Sequence, residues 1–230
     1  EVYHEDISRY RVLLSTQNSE DVERLMREGK APKLSALQIH NSTVYRWNRP
    51  CYGISDGKAH LRIENRVLPS GPTVIDEMAN AAFWLGLLNG FNDHIPDVRK
   101  RMNFDAARSN FLMACKYGIE SRFTWLDDHT ITAKELIMEE LLPIARHGLK
   151  KQKIDEADID RYLGIIHERV QSQQTGSRWM VKSYNKLMKE GCSREEATAA
   201  LTASMIYHQD TSQPVHTWRL AGLEDLSNWK

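Results

Sequence analysis

The stretch Ala59-His60-Leu61-Arg62-Ile63-Glu64-Asn65-Arg66-Val67-Leu68 holds the cleanest alternation in the chain. Leu61, Ile63 and Val67 fall on one side and His60, Arg62, Glu64 and Arg66 on the other. That is the period of two that a strand imposes on its side chains. The pattern predicts a strand over about 59–68. Upstream, from about Leu34 to Trp47, a weaker alternation sets Leu37, Ile39, Tyr45 and Trp47 against Gln38, His40, Ser42 and Arg46, which predicts a partner strand. Asn48-Arg49-Pro50-Cys51-Tyr52-Gly53 reads as a turn between them and Ser55-Asp56-Gly57 as a second turn, so the two strands should pair antiparallel.

The flanks read as helix. Asn18 and Ser19 are positioned to cap a helix through about Glu28, with Gly29 as its stop and Pro32 as a break. After Ser70-Gly71-Pro72, Thr73 caps a helix to about Asn89, with Asp76 in capping-box position and Gly90 as stop. Its stretch Met78–Leu88 is apolar nearly all round, which predicts a central, buried helix with Phe83 and Leu87 in the core. Further helices are expected near 103–117 (Gly118 as stop), 133–147 (Thr132 and Glu135 as capping box, Gly148 as stop), 156–173, 178–190 and 194–208, the last announced by Ser193 and Glu196. Residues 209–230 show little periodicity and read as loop. The fold class is α+β, with a short strand pair followed by a mostly helical C-terminal region. One domain is expected over 1–230, with strands within 34–70 and helices over 73–208.

Composition narrows the function. Two hundred and thirty residues can bury a core without staples, and 31 basic residues balance 31 acidic ones. Zero net charge argues against a general nucleic-acid binder, whose affinity comes from neutralising phosphates. Arg99-Lys100-Arg101 and Lys150-Lys151 complement helix ends instead. No apolar run approaches the roughly 20 residues of a membrane span. Cys51, Cys115 and Cys192 are odd in number and far apart, which points away from a disulfide framework and toward a reducing cytoplasm. None of the nine histidines has the i, i+4 spacing of a helical zinc pair. The chain opens on Glu1, as expected of a processed form or a piece of something longer.

The chemistry concentrates on the polar side of the 59–68 strand. Arg62, Glu64 and Arg66 lie about 7 Å apart in a row of plus, minus, plus. A carboxylate can take a hard cation there while a guanidinium forks onto phosphoryl oxygens. The competing reading is a charged, solvated sheet face. Arg46 and Arg49 add cations at the same end, either as further ligands or as surface arginines lying on Tyr45 and Trp47. Cys51 reads as a bystander.

Arg62-Ile63-Glu64-Asn65-Arg66-Val67-Leu68-Pro69, followed by a Gly-Pro turn and the apolar helix Asp76–Leu88, resembles the glutamate–cysteine ligases, which are ATP-dependent carboxylate–amine ligases. Ser42-Thr43-Val44-Tyr45-Arg46-Trp47-Asn48-Arg49-Pro50 is similar to that family's preceding strand, and Asn110–Gly118 to a helix ending of its bacterial branch. The weakest likeness is Thr175-Gly176-Ser177-Arg178-Trp179. Residues 34–118 carry most of the resemblance.

The resemblance implies strands drawn from a curved, antiparallel, glutamine-synthetase-like sheet. It also implies ATP and Mg2+ as cofactors, and a reaction in which a glutamate-like carboxylate is phosphorylated and then attacked by an amine. On that basis Glu64 matches the family's metal-binding glutamate and Arg66 the arginine on phosphoryl oxygens. Arg62 matches a neighbour in the same site, and Arg46 and Arg49 match positions that face nucleotide or substrate. The family's other metal carboxylates sit on earlier strands with no counterpart here: Glu135, Glu139, Glu140, Glu195 and Glu196 all fall on expected helices. The expected partners are therefore the two small-molecule substrates and an N-terminal remainder of the catalytic domain, with a homo-oligomer possible. The alternatives are a non-catalytic regulatory or interaction domain that keeps the ligase fold, and a helical binding module of other ancestry.

Overall fold

Asp56-Gly57 is where the strand pairing is decided. Both residues have positive φ (51° and 74°), the backbone of a two-residue hairpin turn whose twist matches its strands. The computed structural model, which describes residues 2–10, 15, 20–68 and 71–228, accordingly pairs β1 (Asn48–Ser55) with β2 (Lys58–Asn65) directly across that turn. The antiparallel pair is as expected, but its first strand is not. The expected turn Asn48–Gly53 is itself β1, while most of the expected strand 34–47 is a helix. Pro50 is tolerated because a two-stranded sheet leaves each strand an open edge. Its carbonyl turns outward to accept from the Tyr3 hydroxyl (3.0 Å) and the Asn41 amide (3.4 Å).

The chain forms two compact units, Glu1–Pro69 and Ser70–Lys230. The described residues of the first hold the hairpin and three short helices, α1 (Val2–Arg9), α2 (Val22–Arg27) and α3 (Ser35–Thr43). Asp21 caps α2 by accepting from the Arg24 N–H at 2.9 Å; the cap expected at Asn18 and Ser19 lies outside the described residues. α3 replaces the expected strand because Ser35-Ala36-Leu37-Gln38 carries no β-branched residue to resist helix. It ends where Ser42 and Thr43 turn their hydroxyls back onto the Ile39 carbonyl (2.9 Å each).

The second unit is mostly helical. Its elements are α4 (Val74–His94), α5 (Phe104–Tyr117), the short hairpin β3 (Arg122–Thr124) and β4 (Thr130–Thr132), α6 (Ala133–Glu135), α7 (Leu142–Lys151), α8 (Glu156–Ser172), α9 (Gly176–Lys189) and α10 (Arg194–Asp210). The strands of the described residues form only these two separate two-stranded pairs. The β3–β4 hairpin, unforeseen inside the expected helical span 73–208, turns on Asp127 and Asp128, both at positive φ. Expected caps are in place: Thr73 accepts from the Asp76 N–H, and Thr132–Glu135 and Ser193–Glu196 form capping boxes. A π-turn, Leu136–Leu141, joins α6 to α7 just before Pro143, where the proline cannot donate to the residue four back.

Gly90 and Gly148 do not stop their helices. α4 runs on to His94 and α7 to Lys151. The two glycines lie where these helices cross: a methyl on Gly148 would overlap the Gly86 carbonyl, and one on Gly90 the Ile144 carbonyl. α4 is central but not buried all round. Ala79 is fully buried, and Phe83 and Leu87 are partly buried against α7 and α8. Val74, Met78, Leu85 and Leu88 form an exposed stripe.

The C-terminal segment expected as loop completes a core instead. Val215, Trp218 and Ala221 pack with Trp179, Leu187 and Ala200. The segment has no period because its ties run from side chains to its backbone: the Gln174 amide donates to the Val215 and Trp218 carbonyls (3.0 and 2.8 Å), and the Trp179 indole to the Arg219 carbonyl (2.7 Å).

Candidate functional site

Register places the charged row. In an antiparallel pair, residues directly opposite share a face. Arg49 opposes Glu64, Cys51 opposes Arg62 and Gly53 opposes His60, so all six line one side of the hairpin. Arg66 extends it by one step, its N–H donating to the Trp47 carbonyl at 2.6 Å. The apolar side is exposed as well: Leu61 is 74% and Ile63 53% exposed.

Glu64 is the hub. Arg49 Nε donates to its Oε2 at 2.7 Å and Arg66 Nε to its Oε1 at 2.7 Å, and the Cys51 thiol sits 3.4 Å from Oε2. These donors, Arg49 first, outweigh partial burial and pull the Glu64 pKa down to about 2. Cys51, expected to be a bystander, is thus buried against the central carboxylate. Arg49 also donates to the Asn41 carbonyl at the end of α3, and its hydrogen bond to Glu64 raises its own pKa. Both Arg49 and Arg66 lie over the Tyr45 ring, at 5.6 and 5.1 Å from its centroid.

Arg62 is exposed, with no ion pair or hydrogen bond to the described residues. Its neighbour His60 meets Ser55 Oγ at 3.2 Å. Gly53 makes room for both: a methyl there would stand 2.6 Å from His60 Cε1 and 3.2 Å from Arg62 Nη1. A sequence signal for this exists in the opposition of a glycine to a bulky strand residue, but it requires the register.

Arg46 goes elsewhere. It binds Asp6 and Glu5 of α1, and Asp6 also meets His40 Nε2 at 3.1 Å. Burial works to raise the Asp6 pKa, but the bonds from Arg46 and His40 outweigh it and hold it low. Of the five residues singled out from the sequence, the structure therefore gathers Arg49, Arg62, Glu64 and Arg66, and separates Arg46.

Three guanidiniums around one carboxylate leave a net charge of +2 on this face, a composition suited to phosphate oxygens. It does not suit a protein-held cation. Among the described residues no three histidine, cysteine or acidic side chains are placed to hold a metal, and both Glu64 oxygens already have donors. In the second unit, a shallow groove of about 470 Å3 along α10 is lined by Thr198, Ala199, Thr202, Ala203 and Leu226, none of them charged. No described helix is long and apolar enough to cross a membrane.

No family model, curated protein or solved structure matches the chain.

Proposed function

We propose that the hairpin face is the phosphate-gripping part of an ATP-dependent carboxylate–amine ligase of the glutamate–cysteine type. The observation that carries this reading is the grouping of Arg49, Arg62 and Arg66 around Glu64 on one sheet face. The residues resemble that family in sequence, and their arrangement favours a polyanion. In such a ligase the terminal phosphoryl of ATP passes to a glutamate-like carboxylate, and an amine then displaces phosphate to leave an amide. The protein's task is to place cations where negative charge develops.

Arg62, exposed and unpaired among the described residues, makes the first contact. Arg66, 41% exposed, can exchange a Glu64 oxygen for a phosphoryl oxygen, while Arg49, 13% exposed and tied to α3, stays on Glu64. Magnesium would arrive with the nucleotide. Both Glu64 oxygens already hold arginines, so this face contributes cations to the phosphates rather than ligands to the metal.

Binding of ATP with magnesium, and of tripolyphosphate, followed by calorimetry at low salt tests the reading. Saturable binding is expected, weakened about tenfold or more in Arg62→Ala and Arg66→Ala, the loss typical of one charge-assisted donor. No binding, or binding indifferent to both substitutions, overturns it. The saturation of both Glu64 oxygens favours a second reading, a non-catalytic domain in which the ion pairs only hold the hairpin. That reading predicts altered hairpin stability in Arg66→Ala and no phosphate affinity at all.

A further inference from the structure

We propose that Tyr45 is a positioning residue of this face, one aromatic ring that holds Arg49 and Arg66 on the two oxygens of Glu64; the inference rests on the phosphate-binding reading above. The two arginines come from different places, one within β1 and the other beyond the end of β2. Yet both guanidiniums lie over the same ring, at 5.6 and 5.1 Å. Each reaches a different oxygen of Glu64, Arg49 taking Oε2 and Arg66 taking Oε1.

A guanidinium on a flexible stem loses rotamer freedom when it is held in one place. A rigid ring with a negative π-face lowers that cost for two cations at once. Tyr45 is well placed for this role and poorly placed for another. Its side chain is 67% exposed, so it contributes little to a core. Its hydroxyl has no hydrogen-bond partner among the described residues. The useful part of Tyr45 is therefore the ring, and its use is to pre-arrange two cations before an anion arrives.

Two substitutions tell the ring from the hydroxyl. Tyr45→Phe keeps the ring and removes only the hydroxyl; Tyr45→Leu keeps much of the apolar bulk and removes the π-face. Two readouts on the full chain test them: the titration midpoint of the Glu64 carboxyl carbon by NMR, and the affinity for tripolyphosphate. In Tyr45→Phe both should match the wild type. In Tyr45→Leu the Glu64 midpoint should rise from about 2 toward the ordinary carboxylate range, and tripolyphosphate should bind about fivefold more weakly, the equivalent of one to two exposed cation–π contacts. Wild-type behaviour of Tyr45→Leu in both readouts overturns the proposal, as does equal damage in the Phe variant, which would assign the effect to the hydroxyl. A midpoint that moves in Tyr45→Leu while the wild type binds no tripolyphosphate upholds the positioning of the pair and overturns the phosphate-binding reading.

Discussion

Two carboxylates, each on arginine, show how differently the two units are built. Asp76, in Ser70–Lys230, is fully buried and accepts from Arg169 (2.6 Å), the Thr73 hydroxyl (2.9 Å) and the Val215 N–H (3.0 Å). Glu64, in Glu1–Pro69, is 32% exposed between Arg49 and Arg66. The first ties three distant stretches of one unit together with no water to replace a lost partner. The second sits at the surface, where solvent or an anion can take Arg66 while Arg49 stays anchored. An ion pair that must not open and one that can open easily are different devices, even with the same chemical groups.

The largest expected effect tests the first half of this contrast. Asp76→Ala leaves the Arg169 charge without its counter-ion, with only the Asn80 side-chain oxygen still accepting from it, and strands the buried Val215 N–H, which typically costs about 3–5 kcal/mol. Urea unfolding of the chain, followed by the fluorescence of Trp179 and Trp218, should show the midpoint falling sharply. Glu64→Gln should leave that same transition where it is. A buried carboxylate whose loss moves the midpoint no more than the exposed one would break the comparison.

A second, intermediate effect comes from acid. His208 is 4% exposed, stacked on Trp218 at 4.6 Å and edge-on to Trp179 and Tyr207, and neither ring nitrogen has a hydrogen-bond partner among the described residues. Burial, then the nearby Arg219 charge, lowers its pKa from 6.5, against smaller opposing effects of Gln213 and Asp225. Burial lowers that of His216 as well, aided weakly by Arg169 and opposed by Asp76 and Glu168. Below about 6.5 the unfolded chain therefore binds protons that the folded chain refuses. Stability is full above that value and declines as pH falls through it. Unfolding midpoints between pH 8 and pH 5 should follow this slope, and His208→Phe should flatten it, with His216→Phe removing the remainder. A slope unchanged by both substitutions would show that the aromatic box does not exclude the charge.

The same contrast explains what the sequence reveals. Helices of the second unit are legible because capping pairs such as Ser193–Glu196 and Thr132–Glu135 are local signals, satisfied within four residues. Its C-terminal segment is not legible, because Gln174 and Trp179 hold it from forty residues away. Gly90 and Gly148 look like stops for a related reason: a glycine that ends a helix and one that admits a neighbouring helix are the same letter. On the hairpin, the alternation of Arg62, Glu64 and Arg66 announces the face, and Asp56-Gly57 announces the turn. What misleads is Arg49-Pro50, which reads as a turn until an open edge makes Pro50 acceptable in β1. That one-strand displacement is also why Arg46, expected beside Arg49, lies with Asp6 instead.

The smallest expected effect sharpens the other half of the comparison, because it asks which arginine owns Glu64. Arg49 is the more enclosed and is anchored on the Asn41 carbonyl, whereas Arg66 is more exposed. The folded Glu64 titrates near 2, below its ordinary value of 4.5, with Arg49 the leading cause and the Cys51 thiol and Arg66 contributing less. Above pH 4.5 the carboxylate is ionised in both states and its ion pairs stabilise the hairpin in full. As pH falls toward 2 the unfolded chain takes up the proton first, and that contribution is progressively lost. Glu64 sits at the surface, so the loss is small and screened by salt, and NMR of its carboxyl carbon is a better detector than a melting curve. Arg49→Gln should raise the midpoint more than Arg66→Gln, and added salt should raise it in the wild type. The opposite order would mean that Arg66, not Arg49, is the fixed partner. In that case the arginine free to leave Glu64 for an incoming phosphate would be the one in β1.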